Sequence, residues 1–405
     1  MAGLSLCLVL VVTGVGWAVL RDDTYVAPPP PRPSAGIEPG EAALALRQLE
    51  QAVRDAAPEV AAELAPTGNE AAADLLRAVV RNADEIGVDR FTLRFIDSLG
   101  GVDGGGRWSA TVETGWRFAG FDRSASVADV EIGLVAEAGR TAIDSIGGAA
   151  GPSPVWLTGP VEVLRGPRTL VVATTGAARY DRLARAAIPV VRRVLPQWRD
   201  GLVVEVPGSG AELDAALAAE PGQYAAIAAV TSGVGDDLRP GVPVHVLVNP
   251  EVFGRLDGRG ARVVMSHEAT HVATGAATEP DAVPEWLTEG FADYVALRDV
   301  DLPLSVTAAQ VARQVRREGP PASLPGEDRF DTRTTHLGAA YEAAWIACVL
   351  LAERSGERRL TRFYAELRQG LRQGDDAAGE FRRTFGLTLP AFTRQWQAAL
   401  ADLAA

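Results

Sequence analysis

The chain has 405 residues, which is enough for two or three domains with a sizeable core. Apolar residues make up 47% of it and charged residues 22%, a balance that is typical of a globular protein and excludes a disordered one. The formal net charge of −13 argues against nucleic acid and anionic lipid as partners, because both repel an acidic protein. Cys7 and Cys348 lie in segments that can hardly pair, so no disulfide framework is expected.

The N-terminal end is typical of a membrane segment. Residues 3–20 form an apolar run that is just long enough to span a bilayer. The run has no basic stretch before it and no good cleavage site, so an uncleaved anchor over residues 1–23 is favoured over a cleaved signal segment. The expected location is the cell membrane, single-pass with an extracytoplasmic catalytic domain, or secretion if the segment is removed. Residues 24–39 are proline-rich and predict an extended linker.

Residues 40–168 predict a small α+β domain. Apolar residues recur at three- and four-residue spacing in 40–64 and 69–85, which predicts two helices. Strand-like runs broken by glycine turns follow, from Phe91 to about Leu164. Helices followed by a curved antiparallel sheet resemble the nuclear-transport-factor-2-like or cystatin-like folds. Such a domain either binds a ligand or serves as a spacer.

Residues 169–405 predict a second, larger α+β domain. Short apolar strands alternate with amphipathic helices in its first part. The alternating segment 244–249 comes shortly before a predicted helix over 262–273. We expect 244–249 to be an edge strand, which either pairs with an extended substrate or is plain sheet structure. The final part, residues 339–402, predicts a bundle of helices.

The helix predicted over 262–273 carries the sequence HEATH. Successive helical residues rotate by about 100°, so His267 and His271 lie one turn apart on the same face. Two imidazoles in that arrangement can converge on one zinc ion. Glu268 lies beside them, where a carboxylate suits the role of general base. The pattern predicts a metal site that still needs a ligand from another segment.

Two acidic residues, Glu285 and Glu289, are available as that third ligand. Glu289 is favoured because Pro284 suits the first turn of a helix, which places Glu289 inside the helix that follows. Asp293 then comes one turn later on the same face. An acid in that position can accept the free N–H of a ligand histidine and so orient the ring. Glu285 lies too near the helix start to have a comparable supporter.

The sequence WLTEGFADY at residues 286–294, taken with HEATH, resembles the gluzincin zinc metallopeptidases. The likeness is greatest to the peptidase-MA-like domains related to the aminopeptidase N family, and it implies a thermolysin-like domain ending in a helical bundle. It also implies one Zn²⁺ per chain, held by His267, His271 and Glu289, with Glu268 as general base.

The resemblance extends downstream, over about residues 169–402 in all. Residues 341–356 are similar to the family's next helix, in which a tyrosine stabilises the developing oxyanion, and this implies Tyr341 in that role. His336 is an alternative donor. The chain departs from the family in two respects: 17 residues lie between His271 and Glu289 where 18 are usual, and no G-x-M-E-N segment precedes the helix. Aminopeptidase specificity is therefore not supported.

The sequence as a whole predicts a zinc-dependent hydrolase that cleaves peptide bonds in a peptide or protein substrate. Two alternatives stay open. One is a non-catalytic exported binding or scaffold protein that retains a zinc site. The other is a zinc hydrolase of non-peptide amides, because the same activated water serves both reactions.

Overall fold

Two β-sheets, packed face to face and flanked by helices, organise the chain. The computed structural model describes residues 37–235, 241–279, 283–330, 337–371 and 377–405. Within them, the mixed α+β class predicted from the sequence is confirmed, with a C-terminal region of helices.

The first sheet follows the N-terminal helices. These helices are α1 Pro39–Arg54, α2 Pro58–Ala62 and α3 Glu70–Ile86. The antiparallel strands pair in the order β1-β2-β3-β4, with bounds Val88–Leu99, Arg107–Phe118, Ser126–Glu137 and Arg140–Ile146. Asn69 caps α3 by accepting a hydrogen bond from the amide of Ala72, and Gly87 ends the helix at a φ of 74°. Strand β4 was not predicted; it follows a two-residue turn at Ala138 and Gly139, which both have positive φ.

The second sheet is mixed and has antiparallel strands at both edges. Its strands are β5 Glu162–Arg165, β6 Thr169–Ala173, β7 Leu202–Val206, β8 Ala229–Gly233 and β9 Val244–Val248. They pair in the order β5-β6-β7-β9-β8, with β6, β7 and β9 parallel. Helices α4 Ala177–Val194 and α5 Gly210–Ala216 follow β6 and β7. The predicted strand at 161–164, grouped with the first sheet from sequence, is β5 and pairs with β6.

Alternate residues of the second sheet enter two different cores. Val204 and Val246 pack with α4 and with the helices that follow the sheet. Val172 and Val203 face the other way and pack against the first sheet. Because side chains alternate along a strand, this sheet is covered on both faces.

The remaining helices lie after the second sheet. They are α6 Pro250–Phe253, α7 Gly258–Thr274, α8 Glu285–Leu297, α9 Leu304–Thr307, α10 Ala309–Glu318, α11 Leu337–Ser355, α12 Glu357–Leu371, α13 Ala377–Phe385 and α14 Leu389–Ala404. Helix α8 packs between α7 and α11. The buried indole of Trp396 on α14 donates to the carbonyl of Ala343 on α11 at 2.9 Å, which ties the last helix to this group.

The membrane location predicted from the sequence needs correction. No helix in the described part of the chain combines the length and the hydropathy that crossing a bilayer requires. This finding contradicts the single-pass location predicted from the sequence. The anchor predicted over residues 1–23 itself lies outside the described residues.

Candidate metal centre

Helix α7 presents the two histidines of the HEATH sequence to one point. The helix begins after Asp257, whose carboxylate accepts from the amides of Arg259 and Gly260, and ends at Gly275 with a φ of 69°. His267 and His271 lie one turn apart and are both buried. Their Nε2 atoms are 2.9 Å from each other. Two imidazole nitrogens at that distance share one binding point.

Helix α8 brings Glu289 to the same point. Its Oε2 lies 3.0 Å from Nε2 of His267 and 3.4 Å from Nε2 of His271. Within the described chain, these three side chains form the group whose ligand atoms are close enough to hold one metal ion. Glu285 was the alternative ligand from sequence; it is one turn earlier on α8, and burial together with the charge of Glu289 raises its pKa to about 7.

The three ligand atoms fit a zinc ion by chemistry and by spacing. Ligands at about 2.0–2.1 Å around a tetrahedral ion are roughly 3.3 Å apart, close to the three separations found here. Oε2 of Glu289 is buried and no well-aligned hydrogen bond from the described residues reaches it. A buried carboxylate oxygen without a donor is costly unless a cation satisfies it. The donor set therefore matches a cation that binds nitrogen and oxygen.

The charges around the site also favour a cation. Burial lowers the pKa of the His267 imidazole, but the carboxylates of Asp293 and Glu289 outweigh burial and raise that pKa well above its usual value. Burial raises the pKa of Glu289, and the adjacent imidazoles of His271 and His267 outweigh it in the opposite direction, so that pKa lies well below its usual range. The protein thus places negative charge around a point that it surrounds with nitrogen and oxygen atoms.

Asp293 orients one of the ligands. It follows Glu289 by one turn of α8, and its Oδ1 lies 2.8 Å from Nδ1 of His267. When Nδ1–H donates to this carboxylate, Nε2 carries the lone pair that faces the metal point. The structure therefore brings Asp293 to the position expected of it.

Glu268 lies beside the ligands without joining them. It is buried, and its Oε2 accepts a hydrogen bond from the hydroxyl of Thr231 at 2.7 Å. Thr231 is on strand β8, so a hydrogen bond from the second sheet orients the carboxylate of Glu268. Thr231 could not be predicted from the sequence, because its partner is 37 residues away.

Tyr341 lies on α11 across from the histidines. Its ring centroid is 5.9 Å from that of His267, and the side chain is half-buried. Burial and the carboxylates of Glu289 and Glu268 raise the pKa of Tyr341 well above its usual value, so the phenol keeps its proton. The alternative donor, His336, lies outside the described residues.

Gly290, which was not predicted to be a site residue, allows α11 to approach the site. A Cβ at Gly290 would lie 2.3 Å from the carbonyl oxygen of Ala344. Only glycine permits that approach of α8 and α11. Tyr341 is one turn before Ala344 on α11, so this close approach lies next to Tyr341 in the helix. The Glu-Gly pair at 289–290 was the available signal.

The sheet edge beside the site is β8. Residues 244–248 form the expected strand, but the expected edge position is wrong. Strand β9 is paired on both sides, with β7 and β8. Val234 donates its amide to Pro243, and Ala228 accepts from Asn249, so even-numbered residues of this stretch bond toward β9. Because hydrogen-bonding direction alternates along a strand, the backbone groups of Thr231 and Gly233 point away from β9, to an edge at which no described strand pairs.

Comparison with known proteins gives one distant structural likeness. No family model matches the sequence, and no curated protein matches it. The fold is similar to the crystal structure of a mutant M1 zinc metallopeptidase from Deinococcus radiodurans, with 13% sequence identity and a TM-score of 0.35. The match covers 65% of this chain and 58% of that one. The match is a distant structural likeness. Its TM-score is too low to assign a role to any side chain.

Proposed function

We propose that this chain is a zinc-dependent hydrolase that cleaves peptide bonds. The observation that carries the proposal is the convergence of His267, His271 and Glu289 on one point, with Glu268 next to them and outside the ligand set. Three protein ligands leave a zinc ion with an open position, as in catalytic rather than structural sites. Zinc held in this way supplies Lewis acidity, which makes water a nucleophile near neutral pH.

Glu268 is the proposed general base. Its carboxylate is beside the ligands, and its Oε2 accepts a hydrogen bond from Thr231. Among the described residues no hydrogen bond engages the other oxygen, which would take a proton from the attacking water and pass it to the leaving amine. Thr231 orients this carboxylate and is a positioning residue.

Tyr341 is the proposed oxyanion donor. A neutral phenol beside the metal ligands can donate to the carbonyl oxygen of the substrate as negative charge develops on it. This role needs a protonated Tyr341, which is the state that its surroundings favour.

The open edge of β8 supports a peptide substrate over another amide. Thr231 and Gly233 offer backbone N–H and C=O groups to an extended chain, and Thr231 also contacts Glu268. A peptide added along this edge would pass directly beside the proposed base. A non-peptide amide has no use for such an edge.

The domain division belongs to the same proposal. Residues 40–168 form a helix-plus-sheet domain of the nuclear-transport-factor-2-like or cystatin-like kind, and residues 169–405 form a thermolysin-like, peptidase-MA-like domain. Two cores, one on each face of the second sheet, support a division into two domains, although β5 at Glu162–Arg165 lies before the boundary and pairs with β6. The first domain covers the sheet face that the metal centre does not use.

A peptide-library digest with and without a chelator tests the proposal. We expect cleavage by the parent protein, loss of cleavage with chelator, and recovery with added zinc. Glu268→Gln should hold zinc and lose turnover, because the amide cannot take a proton. Cleavage by metal-loaded Glu268→Gln at the parental rate would contradict the assigned base. Zinc binding without cleavage of any peptide would favour the scaffold alternative.

A further inference from the structure

A buried charged group lies on the face of the second sheet opposite the metal centre. His245 on β9 is 2.6 Å from Oε1 of Glu205 through Nδ1 and 3.0 Å from Oδ1 of Asp122 through Nε2. The ring of Phe118 stacks on the imidazole. All three charged side chains are more than nine-tenths buried. This group joins the first sheet to the second.

The group holds one basic side chain between two acidic ones. Burial lowers the pKa of His245, but Asp122 and Glu205 outweigh it and raise that pKa to about 10. Within the described residues, no hydrogen bond engages Oε2 of Glu205, so this oxygen retains its capacity to accept.

Glu205 also lines a cavity of about 280 Å³ between the two sheets. Trp116, Leu217 and Leu247 supply apolar walls, and Ser232 belongs to the rim on β8. A single water needs only about 10–15 Å³ of such space, so the cavity admits a whole side chain. A mainly apolar wall with one carboxylate suits a long aliphatic chain that ends in a cation.

The cavity lies on the sheet face to which a peptide on β8 would direct every second side chain. Thr231 faces the metal side and contacts Glu268, while Ser232 is paired with His245 on the opposite side. Side chains of an added strand alternate between the same two faces. A peptide along β8 therefore presents one residue to the metal centre and its neighbour to the cavity.

We propose that this cavity is a specificity subsite for a basic side chain, arginine or lysine, of an extended peptide substrate. The walls take the aliphatic stem, and Glu205 accepts a hydrogen bond from the cationic end. The subsite deepens the proposed peptidase function and rests on it for the placement of the peptide. Binding in the subsite can be measured without turnover.

Calorimetric titration of the zinc-loaded full chain carrying Glu268→Gln tests the subsite. The probes are acetylated alanine pentapeptide amides with one arginine, moved position by position, each matched by a peptide with citrulline there. Citrulline has nearly the same shape but no charge. We expect about tenfold tighter binding of arginine than citrulline at one position and no preference at its neighbours.

Two variants test whether the preference for arginine arises in the cavity. Glu205→Gln should abolish the preference by removing the charge. Ala216→Phe should abolish it by filling the cavity from α5, with the charged group intact. Ala215→Phe is the matched control, because Ala215 is on the same helix but outside the cavity lining, and it should keep the preference.

The outcomes separate this subsite from the peptidase function. Equal binding of arginine and citrulline at every position, or a preference that survives both Glu205→Gln and Ala216→Phe, would overturn the subsite even if the parent protein cleaves peptides. A preference lost in both variants would support the subsite even if the parent protein cleaves nothing. In that case only the proposed hydrolysis would be refuted.

Discussion

Removal of the His245 imidazole should be among the most damaging single changes in this protein. His245 is fully buried between Asp122 and Glu205. His245→Gln keeps a polar side chain of similar size but leaves two buried carboxylates without their cation. Breaking a buried ion pair in this way costs about 3–5 kcal/mol. The pKa shift from 6.5 to about 10 agrees with that order of magnitude, since one pKa unit corresponds to about 1.4 kcal/mol.

The pKa shift also predicts how the loss depends on pH. The folded protein binds the His245 proton more tightly than the unfolded chain does, because the folded pKa is the higher one. The stabilisation is therefore fully present below about pH 6.5 and is lost as pH rises through about 10. Between these values it decreases by about 1.4 kcal/mol per pH unit.

Urea unfolding of the parent and of His245→Gln at pH 7, 8 and 9 measures both effects. The difference in unfolding free energy should be about 3–5 kcal/mol at pH 7 and should shrink toward pH 9. The double variant Asp122→Asn/His245→Gln should lose less unfolding free energy than the two single variants lose together, because the residues share one contact. A difference below about 1 kcal/mol at pH 7, or one that widens with pH, would refute the reasoning.

Three further substitutions test the metal centre and its support. Tyr341→Phe should reduce turnover about 100-fold or more with zinc content unchanged, and full activity in a peptidase assay would return Tyr341 to a packing role. Asp293→Asn should weaken zinc binding about 10–100-fold in competition with a chromophoric chelator, because it loosens His267; unchanged affinity would contradict the contact. Gly290→Ala should lower the unfolding free energy by about 1–3 kcal/mol, since the new Cβ meets a backbone carbonyl; a neutral result in urea would exclude the close approach.

The sequence predicted the parts of the site that lie on one helix at a time. The spacing of His267 and His271 needs only helical periodicity, and the placement of Glu289 and Asp293 needs only the next helix. Contacts between distant segments could not be predicted from the sequence. Thr231 reaches Glu268 from a strand 37 residues earlier, and Gly290 matters because of a carbonyl on α11.

The same limit explains the errors in the fold. The alternation in 244–249 correctly predicted a strand, but sheet order depends on pairing with β7 and β8, which local sequence does not encode. Helix α7 begins at Gly258 rather than near 262, because the cap at Asp257 and burial of the helix outweigh the poor helix propensity of Gly258 and Gly260. The turn before β4 carries Ala-Gly instead of the commoner Asn-Gly, which left that strand unpredicted.

Zinc content by elemental analysis tests the central claim most directly. The purified chain should hold one zinc, and Glu289→Gln should lose it under the same dialysis, since only two imidazoles would remain. Glu285→Gln, one turn earlier on the same helix, is the matched control and should keep the metal. A parent protein without stoichiometric zinc after incubation with it, or a Glu289→Gln variant that binds zinc as tightly as the parent, would contradict the account.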